Sequence, residues 1–257
     1  MIVVGLLKGG IKMRANKTNI GFNFLLKTLK SIILFICFGF TVEIFSADML
    51  VVAMTKVGEA VYQRGGGKET PITKGQIFDK KDKIITKNGF VDLQVGLNSI
   101  IRVAKNSTIS LSELIEEVGS QKVELNLDKG TIFAKTIKKM DKKSELKIIT
   151  PTITAGVRGT QFLIQEGEDN LSTEEKLEPG VYVKEGAVDL KTDYSPDTIA
   201  IEAGQELVTS QKNLQAQILS DYAREKMKIL DTLNAMKESN YKQLQEQRAK
   251  NKDLMKK

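Results

Sequence analysis

Histidine is absent from the 257 residues, and Cys37 is the single cysteine. Without imidazole there is no Ser-His or Cys-His nucleophile pair and no His-ligated zinc, and one thiol forms no intramolecular disulfide. Carboxylate pairs remain as candidates for acid–base cleavage of glycans, namely Glu116 with Glu117 and Asp79 with Asp82. Neighbouring carboxylates on strands and turns usually face solvent. We therefore expect no catalytic residue and no cofactor.

Two charged runs could bind ions or partners. Residues 166–179 are rich in carboxylates, which suit hard cations such as Ca²⁺, but the EF-hand spacing is absent. This favours a solvated hairpin loop without a metal. Residues 135–147 are basic, and a turn between strands is favoured over an anion or partner site.

The most distinctive run covers residues 150–162, TPTITAGVRGTQF. Pro151 fixes φ and has no N–H donor, and Gly156 and Gly159 permit backbone geometries that other residues resist. Arg158 carries a guanidinium with five donors, which needs carboxylate or carbonyl partners where it is buried. The pattern favours a structural role for Arg158 in joining strands and loops, with ligand or partner contact as the alternative.

This run must be held in place by the segments around it. In these short segments apolar and polar residues alternate. About a dozen such segments, rich in β-branched residues, occur between residues 50 and 209, which predicts strands. Expected turns carry glycine: Asn88-Gly89, Lys129-Gly130, Pro179-Gly180, Glu185-Gly186 and Ala203-Gly204. The pattern predicts a mainly β domain over residues 48–210, built as a sandwich, barrel or solenoid. One short helical turn is an alternative at residues 113–118.

Residues 1–47 have the composition of a secretory leader. A basic start precedes an apolar stretch at residues 31–42, which is shorter than the roughly 20 residues of a spanning helix. We expect cleavage after Ala47 and a true start at Met13, with an uncleaved anchor as the alternative. Because no small residue precedes Cys37, a lipoprotein is disfavoured.

The net charge of +7 is concentrated at the two ends of the chain. Residues 1–47 and 211–257 each carry +5, whereas residues 48–210 carry −3. Because a nucleic-acid-binding domain would need a basic surface, we expect no nucleic acid partner for the middle region.

Residues 211–257 contain neither proline nor glycine. Apolar residues recur there at helical spacing, which predicts one long amphipathic helix. The expected partner-facing stripe consists of Ile218, Tyr222, Ile229, Leu233, Met236, Tyr241 and Leu244. This helix could dock on its own β domain, or form a coiled coil with another copy or another protein. Its lysine-rich end could also touch anionic lipid or peptidoglycan.

The middle region resembles the FecR domain of bacterial envelope proteins. The most specific element is the run TP…VRGT.F, and the motif residues expected to serve structure or partner contact are Thr150, Pro151, Gly156, Val157, Arg158, Gly159, Thr160 and Phe162. Weaker elements follow the order of the family at residues 57–61, 83–89, 99–111, 128–132 and 183–188, and at Ala203-Gly204. The resemblance covers about residues 55–208.

The resemblance implies a β-solenoid-like domain in the periplasm that serves signal relay or protein contact and not catalysis. The well-known relatives are transmembrane regulators that pair with a sigma factor and an outer-membrane transporter. We expect neither their sigma-binding segment nor their receptor-contacting module here. A secreted, stand-alone interaction or scaffold module is therefore expected. An inner-membrane-anchored sensor that faces the periplasm is the alternative.

Overall fold

β-Strands dominate this computed structural model, which describes residues 47–96, 98–117, 120–136, 144–167, 176–192, 195–210, 214–235 and 246. The chain divides into two units, Met1–Phe45 and Ser46–Lys257, and every element below belongs to the second. The predicted leader lies outside the described residues up to residue 46. None of the helices in the described ranges is long and apolar enough to cross a membrane.

The described strands are β1 Ala47–Asp48, β2 Val51–Val57, β3 Ala60–Gln63, β4 Thr70–Pro71, β5 Ile77–Phe78, β6 Lys83–Thr86, β7 Phe90–Val95, β8 Ser99–Val103, β9 Thr108–Glu117, β10 Ser120–Thr136, β11 Glu145–Ile149, β12 Ile153–Glu166, β13 Gly180–Thr192, β14 Ser195–Glu202, β15 Gln205–Val208 and β16 Gln217–Ile218. Two short helices follow, α1 Asp221–Lys226 and α2 Ile229–Ala235. The mainly β prediction is confirmed. Since β9 continues through Glu117, the helical turn suggested at 113–118 is wrong.

Three long strands, β10, β12 and β13, each belong to two layers of sheet. The first half of β10 pairs with β9 and β11, and its second half pairs with β8 and β12. The first half of β12 pairs with β11, whereas β13 pairs first with β15 and then with β14. Layer A has the order β4-β3-β6-β9-β10-β11-β12-β13-β14, and layer B has the order β5-β2-β7-β8-β10-β12-β13-β15-β16.

Each long strand changes layer at a glycine with positive φ. These residues are Gly130 (φ 95°), Gly159 (φ 67°) and Gly186 (φ 79°). The β12–β13 ladder shifts register between Arg158 and Phe162, as expected at a β-bulge. Glycine adopts this backbone region without the steric cost that Cβ imposes on other residues. The turns predicted at Lys129-Gly130 and Glu185-Gly186 are therefore wrong, because both are bends inside continuous strands.

One apolar core fills the space between layers A and B. Side chains alternate along each strand, so that Val123, Leu125 and Leu127 of β10 point inward. Phe162 on β12 and Phe78 on β5 are among the largest fully buried side chains. Burial of each such side chain contributes roughly 1.5–3 kcal/mol, which makes the core the main support of both layers.

The predicted β-solenoid is wrong, and a small β-barrel with extra strands is found instead. A solenoid stacks coils that contact only their neighbours, whereas β10 pairs with β8, β9, β11 and β12. Among the described ladders, only β10–β11 is parallel. The bent strands join the two layers around one core, and this closure replaces the stacking of a solenoid.

The predicted long helix from residue 211 is wrong at its start. Residues 217–218 form β16 beside β15, and α1 begins only at Asp221. The Ser220 hydroxyl caps α1 by accepting the N–H of Ala223 at 3.3 Å. A turn at residues 227–228 then separates α1 from α2. The later stripe positions Met236, Tyr241 and Leu244 lie outside the described residues.

Candidate functional site

The Thr-Pro pair of the predicted motif closes the turn between β11 and β12. The Thr150 hydroxyl accepts the N–H groups of Thr152 and Ile153, both at 3.1 Å. The Thr152 hydroxyl donates to Glu166 at 2.8 Å. Side-chain bonds of this kind stabilise turns. Thr150 therefore acts as a structural cap, and Pro151 lies exposed beside it.

The remaining motif residues lie on β12, and three of them have buried side chains. Val157 and Phe162 are 0% exposed and Thr160 is 1% exposed, so these three side chains belong to the interior. Gly159 forms the bend. Arg158 is on β12 beside this bend, and its side chain lies outside the described part of the structure. The buried side chains of Val157, Thr160 and Phe162 therefore pack inside the fold, whereas Pro151 and Gly156 remain accessible at the surface.

The outer face of layer B is covered by the C-terminal segment. Apolar side chains of β8, β12 and β13 on this face pack against the two helices. The buried cluster that results contains Ile100, Leu163, Leu177, Tyr182, Leu219, Ala223, Met227 and Leu230. Tyr222 and Ile229 of the predicted stripe are half-buried against this cluster. Ile218 lies on β16 and is 84% exposed, and the Leu233 side chain is outside the described part. The described helices thus dock on their own β domain.

Polar contacts fix the docked segment at both ends. Glu206 on β15 accepts the N–H of Ser220 at 3.0 Å and its hydroxyl at 2.9 Å. The Gln217 amide also donates to Glu206, at 3.0 Å. Lys184 on β13 donates to Asp231 on α2 at 2.8 Å. Because Glu206 is only 5% exposed, its charge-assisted bonds tie the start of the segment firmly to layer B. Asp231 is 61% exposed, so its pair with Lys184 contributes less.

The outward side of β10 to β14 in layer A is not covered by any described element, and we call it the open face. Its outward side chains are exposed or half-exposed and mostly charged or small: Lys122, Glu124, Glu145, Lys147, Thr154, Asp189, Lys191, Thr198, Ala200 and Glu202. Lys147 forms an ion pair with Glu124 at 3.0 Å. Acidic and basic groups are interspersed, so the open face has no single sign of charge.

A trough of about 260 Å³ lies in the middle of the open face. Gly156 and Thr154 of β12 form its floor; its charged rims are Glu145 and Lys147 on β11 and Asp189 and Lys191 on β13. The β-ladders place Lys147, Gly156 and Asp189 side by side. The basic side chain of Lys147 and the acidic side chain of Asp189 therefore flank Gly156, which has no side chain.

The sequence pattern predicts a basic turn at residues 135–147, but Glu145 and Lys147 lie on strand β11. It does not single out Asp189 and Lys191, although a signal for all four residues exists. The triplets Glu145-Leu146-Lys147 and Asp189-Leu190-Lys191 share the order acid, leucine, lysine. In each strand the leucine faces the core while both charges face outward, as period-two alternation requires. Recognising that both triplets flank the same strand requires the β11–β12–β13 pairing, which is a long-range property.

A second groove, of about 620 Å³, lies beside the bend of β10. Its lining includes Lys87, Lys105, Lys129 and Glu166. Lys87 donates to Glu59 at 2.7 Å, and this hydrogen bond raises the pKa of Lys87. The groove is larger than the trough, but part of its basic character is already neutralised by contacts within the chain.

The family model described as FecR protein matches residues 82–189. Residues 82–189 form a FecR domain. The matched residues include the three bend glycines, the Thr150–Phe162 motif and most of the open face, which confirms the resemblance. Strands β1 to β5, β14 to β16 and both helices lie outside the match.

Two crystal structures of a "putative anti-sigma factor" from Parabacteroides distasonis, at 1.65 Å and 2.50 Å resolution, are similar to the FecR-domain chain at 11% sequence identity. Their TM-scores are 0.40 and 0.41, and each match covers 54% of this chain and 60% of that chain. The chain thus spans less than two thirds of the length of these structures. A search of curated protein sequences gives no match.

The candidate acid–base pairs have structural partners or lie outside the described side chains. Asp82, at the start of the FecR domain, is 1% exposed and accepts Arg64 Nη2 at 2.9 Å and the N–H of Asp79 at 2.9 Å. The hydrogen bond to Asp82 raises the pKa of Arg64. The side chains of Glu116 and Glu117 lie outside the described part.

The acidic loop is described only at its two ends, because residues 168–175 lie outside the described ranges. Residues 137–143 of the basic run are likewise outside them. Within the described ranges, His, Cys, Asp and Glu side chains form no group of three that could hold a metal ion.

Proposed function

We propose that this chain is a non-catalytic, FecR-type regulatory protein of the bacterial envelope that acts by binding a protein partner. The contrast between the two outer faces carries the proposal. The chain's own helices cover the apolar outer face of layer B, while no described element covers the charged face of layer A. A rigid strand surface with charges of both signs suits specific protein recognition, because it rejects partners whose charges are misplaced.

The predicted leader supports a periplasmic location. Cleavage after Ala47 would release the domain as a binding or scaffold module. Retention of residues 31–47 would anchor it to the inner membrane as a sensor. Mass spectrometry of the N-terminus from native envelopes distinguishes the two, since a first residue of Asp48 means release.

Crosslinking in intact envelopes tests the partner. Tagged full-length protein is compared with Lys147→Glu/Lys191→Glu, which reverses two charges on the open face. Lys68→Glu/Lys74→Glu is the matched control, because both lysines are exposed and precede the FecR match. We expect one crosslinked protein with the wild type and the control, and its loss with the open-face variant.

Other outcomes would reject the proposal or redirect it. Equal crosslinking by all three proteins would reject the open face as the binding surface. Recovery of peptidoglycan or lipid instead of protein would reject a protein partner. A crosslinked second copy would identify self-association as the relevant contact, and a turnover activity that is lost with a single carboxylate would reject the non-catalytic assignment.

A further inference from the structure

Gly156 differs from the other described glycines inside strands, because none of its contacts with described residues requires a glycine. A Cβ on Gly130 would lie 2.6 Å from Ser107 Cα, and one on Gly180 would collide with the Leu207 carbonyl. Gly159 and Gly186 have positive φ. A Cβ on Gly156 would meet its nearest atoms, the Asp189 carbonyl and Glu145 Oε1, at 3.8 Å, which is ordinary contact.

Glycine inside a strand is unfavourable unless something compensates for it. It loses more conformational freedom on folding than other residues do, and it contributes no side chain to the sheet. A strand glycine marks a bulge, a tight bend, or a place where a ligand or another backbone approaches closely. Gly156 pairs in regular register with Lys147 and Asp189, which leaves the third reading. At Gly156 that approach can come only from the open face, because Ala155 and Val157 on either side are both 0% exposed and face the core.

The missing side chain at Gly156 keeps the trough open. Thr154 and Thr198 add only small side chains to it, whereas the rims on β11 and β13 are long and charged. A trough one strand wide fits an extended chain better than a helix, whose diameter with side chains is about 10–12 Å.

The rim charges define the chemistry of the occupant. Glu145 and Asp189 would repel a polyanion, and Lys147 and Lys191 would repel a polycation. An apolar segment would desolvate all four charges, and the ion pair of Lys147 with Glu124 would compensate only one of them among the described contacts. An extended peptide that presents acidic and basic side chains alternately can pair with both lysines and both carboxylates.

We propose that the trough at Gly156 binds an extended peptide segment of mixed charge from the partner protein. This inference rests on the proposed function and names the part of the open face that makes the closest contact. The peptide backbone would pass over Gly156, and its side chains would reach Lys147 and Asp189 on either side.

The test is panning of random peptides displayed on phage against the full-length protein, with Gly156→Val as the blocking variant. Valine favours strands, so this substitution should fill the trough while leaving the melting temperature unchanged or higher. Ala200→Val adds similar bulk on the open face outside the trough and serves as the matched control. If Gly156→Val lowers the melting temperature, Gly156→Ala replaces it, since its Cβ meets only ordinary contacts.

We expect enriched peptides to carry acidic and basic residues at alternate positions. They should bind the wild type and Ala200→Val equally and lose about tenfold or more in affinity for Gly156→Val, which corresponds to about 1.4 kcal/mol. Equal binding to Gly156→Val, enrichment of peptides with one sign of charge, or no enrichment over Gly156→Val would each overturn the inference. Self-association in sedimentation velocity that Gly156→Val abolishes would overturn it in favour of a second copy.

The envelope crosslink separates this inference from the proposed function. If Gly156→Val keeps the crosslinked partner that Lys147→Glu/Lys191→Glu loses, the trough is excluded while the open face remains the binding surface. If neither variant changes the crosslink, both proposals fail.

Discussion

Asp92 and Arg102 lie directly opposite each other on β7 and β8 and form a bidentate ion pair. Arg102 Nε is 2.6 Å from Asp92 Oδ1, and Arg102 Nη2 is 2.7 Å from Asp92 Oδ2. The side chains are 1% exposed for Asp92 and 11% for Arg102. The guanidinium also lies 3.9 Å from the centroid of the Phe90 ring. Neither charge can recover its hydration if the other is removed.

Asp92→Asn should therefore destabilise the fold strongly, by about 3–5 kcal/mol, because it leaves a buried guanidinium without its counter-charge. Urea unfolding of the full-length protein measures the change. Asp128→Asn is the control. Asp128 Oδ2 lies 2.8 Å from Lys83 Nζ, but the two side chains are 45% and 40% exposed. That variant should lose less than about 1 kcal/mol. Equal losses in the two variants would show that the burial of the Asp92 pair is unimportant.

Gly186 and Gly204 provide a second comparison, because both have φ of 79°. A Cβ on Gly186 would lie 2.6 Å from Thr160 Cγ2 and 2.8 Å from the Gly159 carbonyl, whereas a Cβ on Gly204 would meet nothing within 4 Å. Gly204→Ala should cost about 1–2 kcal/mol from backbone strain alone. Gly186→Ala should cost clearly more, because it also forces apart the bends of β12 and β13.

Thermal and urea unfolding of the two glycine variants measure this difference. A similar loss of stability in both would mean that the bend tolerates a methyl group. A loss confined to Gly186→Ala would mean that strain at positive φ contributes little here.

Period-two alternation is enough to predict a mainly β domain. It could not predict which glycines are turns. Lys129-Gly130 and Ala203-Gly204 look alike in sequence, yet the first is a bend inside β10 and the second connects β14 to β15. The difference depends on ladders between residues far apart in sequence, such as the contact of Gly130 with Ser107. Local propensity carries no information about such ladders.

In the Thr150–Phe162 motif and in the C-terminal tail, too, the sequence pattern does not reveal contacts between distant residues. The sequence marks Thr150, Val157 and Phe162 as parts of a distinctive run, but their burial and bonding emerge only from the fold. In the tail, the predicted stripe included Ile218, whereas the neighbouring Leu219 is the residue that packs against layer B. Strand β16 occupies residues 217–218 and the helix breaks at 227–228, so the helical phase is reset twice. Periodicity within the tail alone could not reveal either interruption.

Glu206→Gln should loosen the C-terminal helices without unfolding the β domain. The substitution removes the charge that accepts two bonds from Ser220 and one from Gln217, and hydrogen bonds to charged groups contribute about 1.5–3 kcal/mol. Hydrogen–deuterium exchange should rise at residues 219–230 and stay unchanged in β10 and β12. Glu202→Gln, an exposed residue at the end of β14, is the control and should leave exchange unchanged. A uniform rise across the strands would mean that the helices and the β domain unfold together.

Tyr182 should make the protein sensitive to alkaline pH. Its ring is 2% exposed, and its hydroxyl donates to the Glu178 carbonyl at 2.7 Å. Burial, followed by the nearby carboxylates of Glu206 and Glu178, raises the pKa of Tyr182 far above its ordinary value. Because the folded state holds this proton more tightly than the unfolded state does, the stabilising contribution is complete below about pH 10. It decreases as the pH rises beyond that value, by up to about 1.4 kcal/mol per pH unit.

Tyr182→Phe removes the titrating group and should flatten the alkaline decline in stability. Urea unfolding of wild type and variant at about pH 8 and about pH 11 gives the comparison. At the lower pH the wild type should be the more stable, because the variant lacks the bond to Glu178. At the higher pH the difference in stability should shrink or reverse. Only the wild type has a tyrosine at position 182, which loses its proton in the unfolded state but keeps it in the folded state. A difference that is the same at both pH values would mean that the ring ionises in the folded state as readily as in water, and therefore that the docked helices do not seal the outer face of layer B.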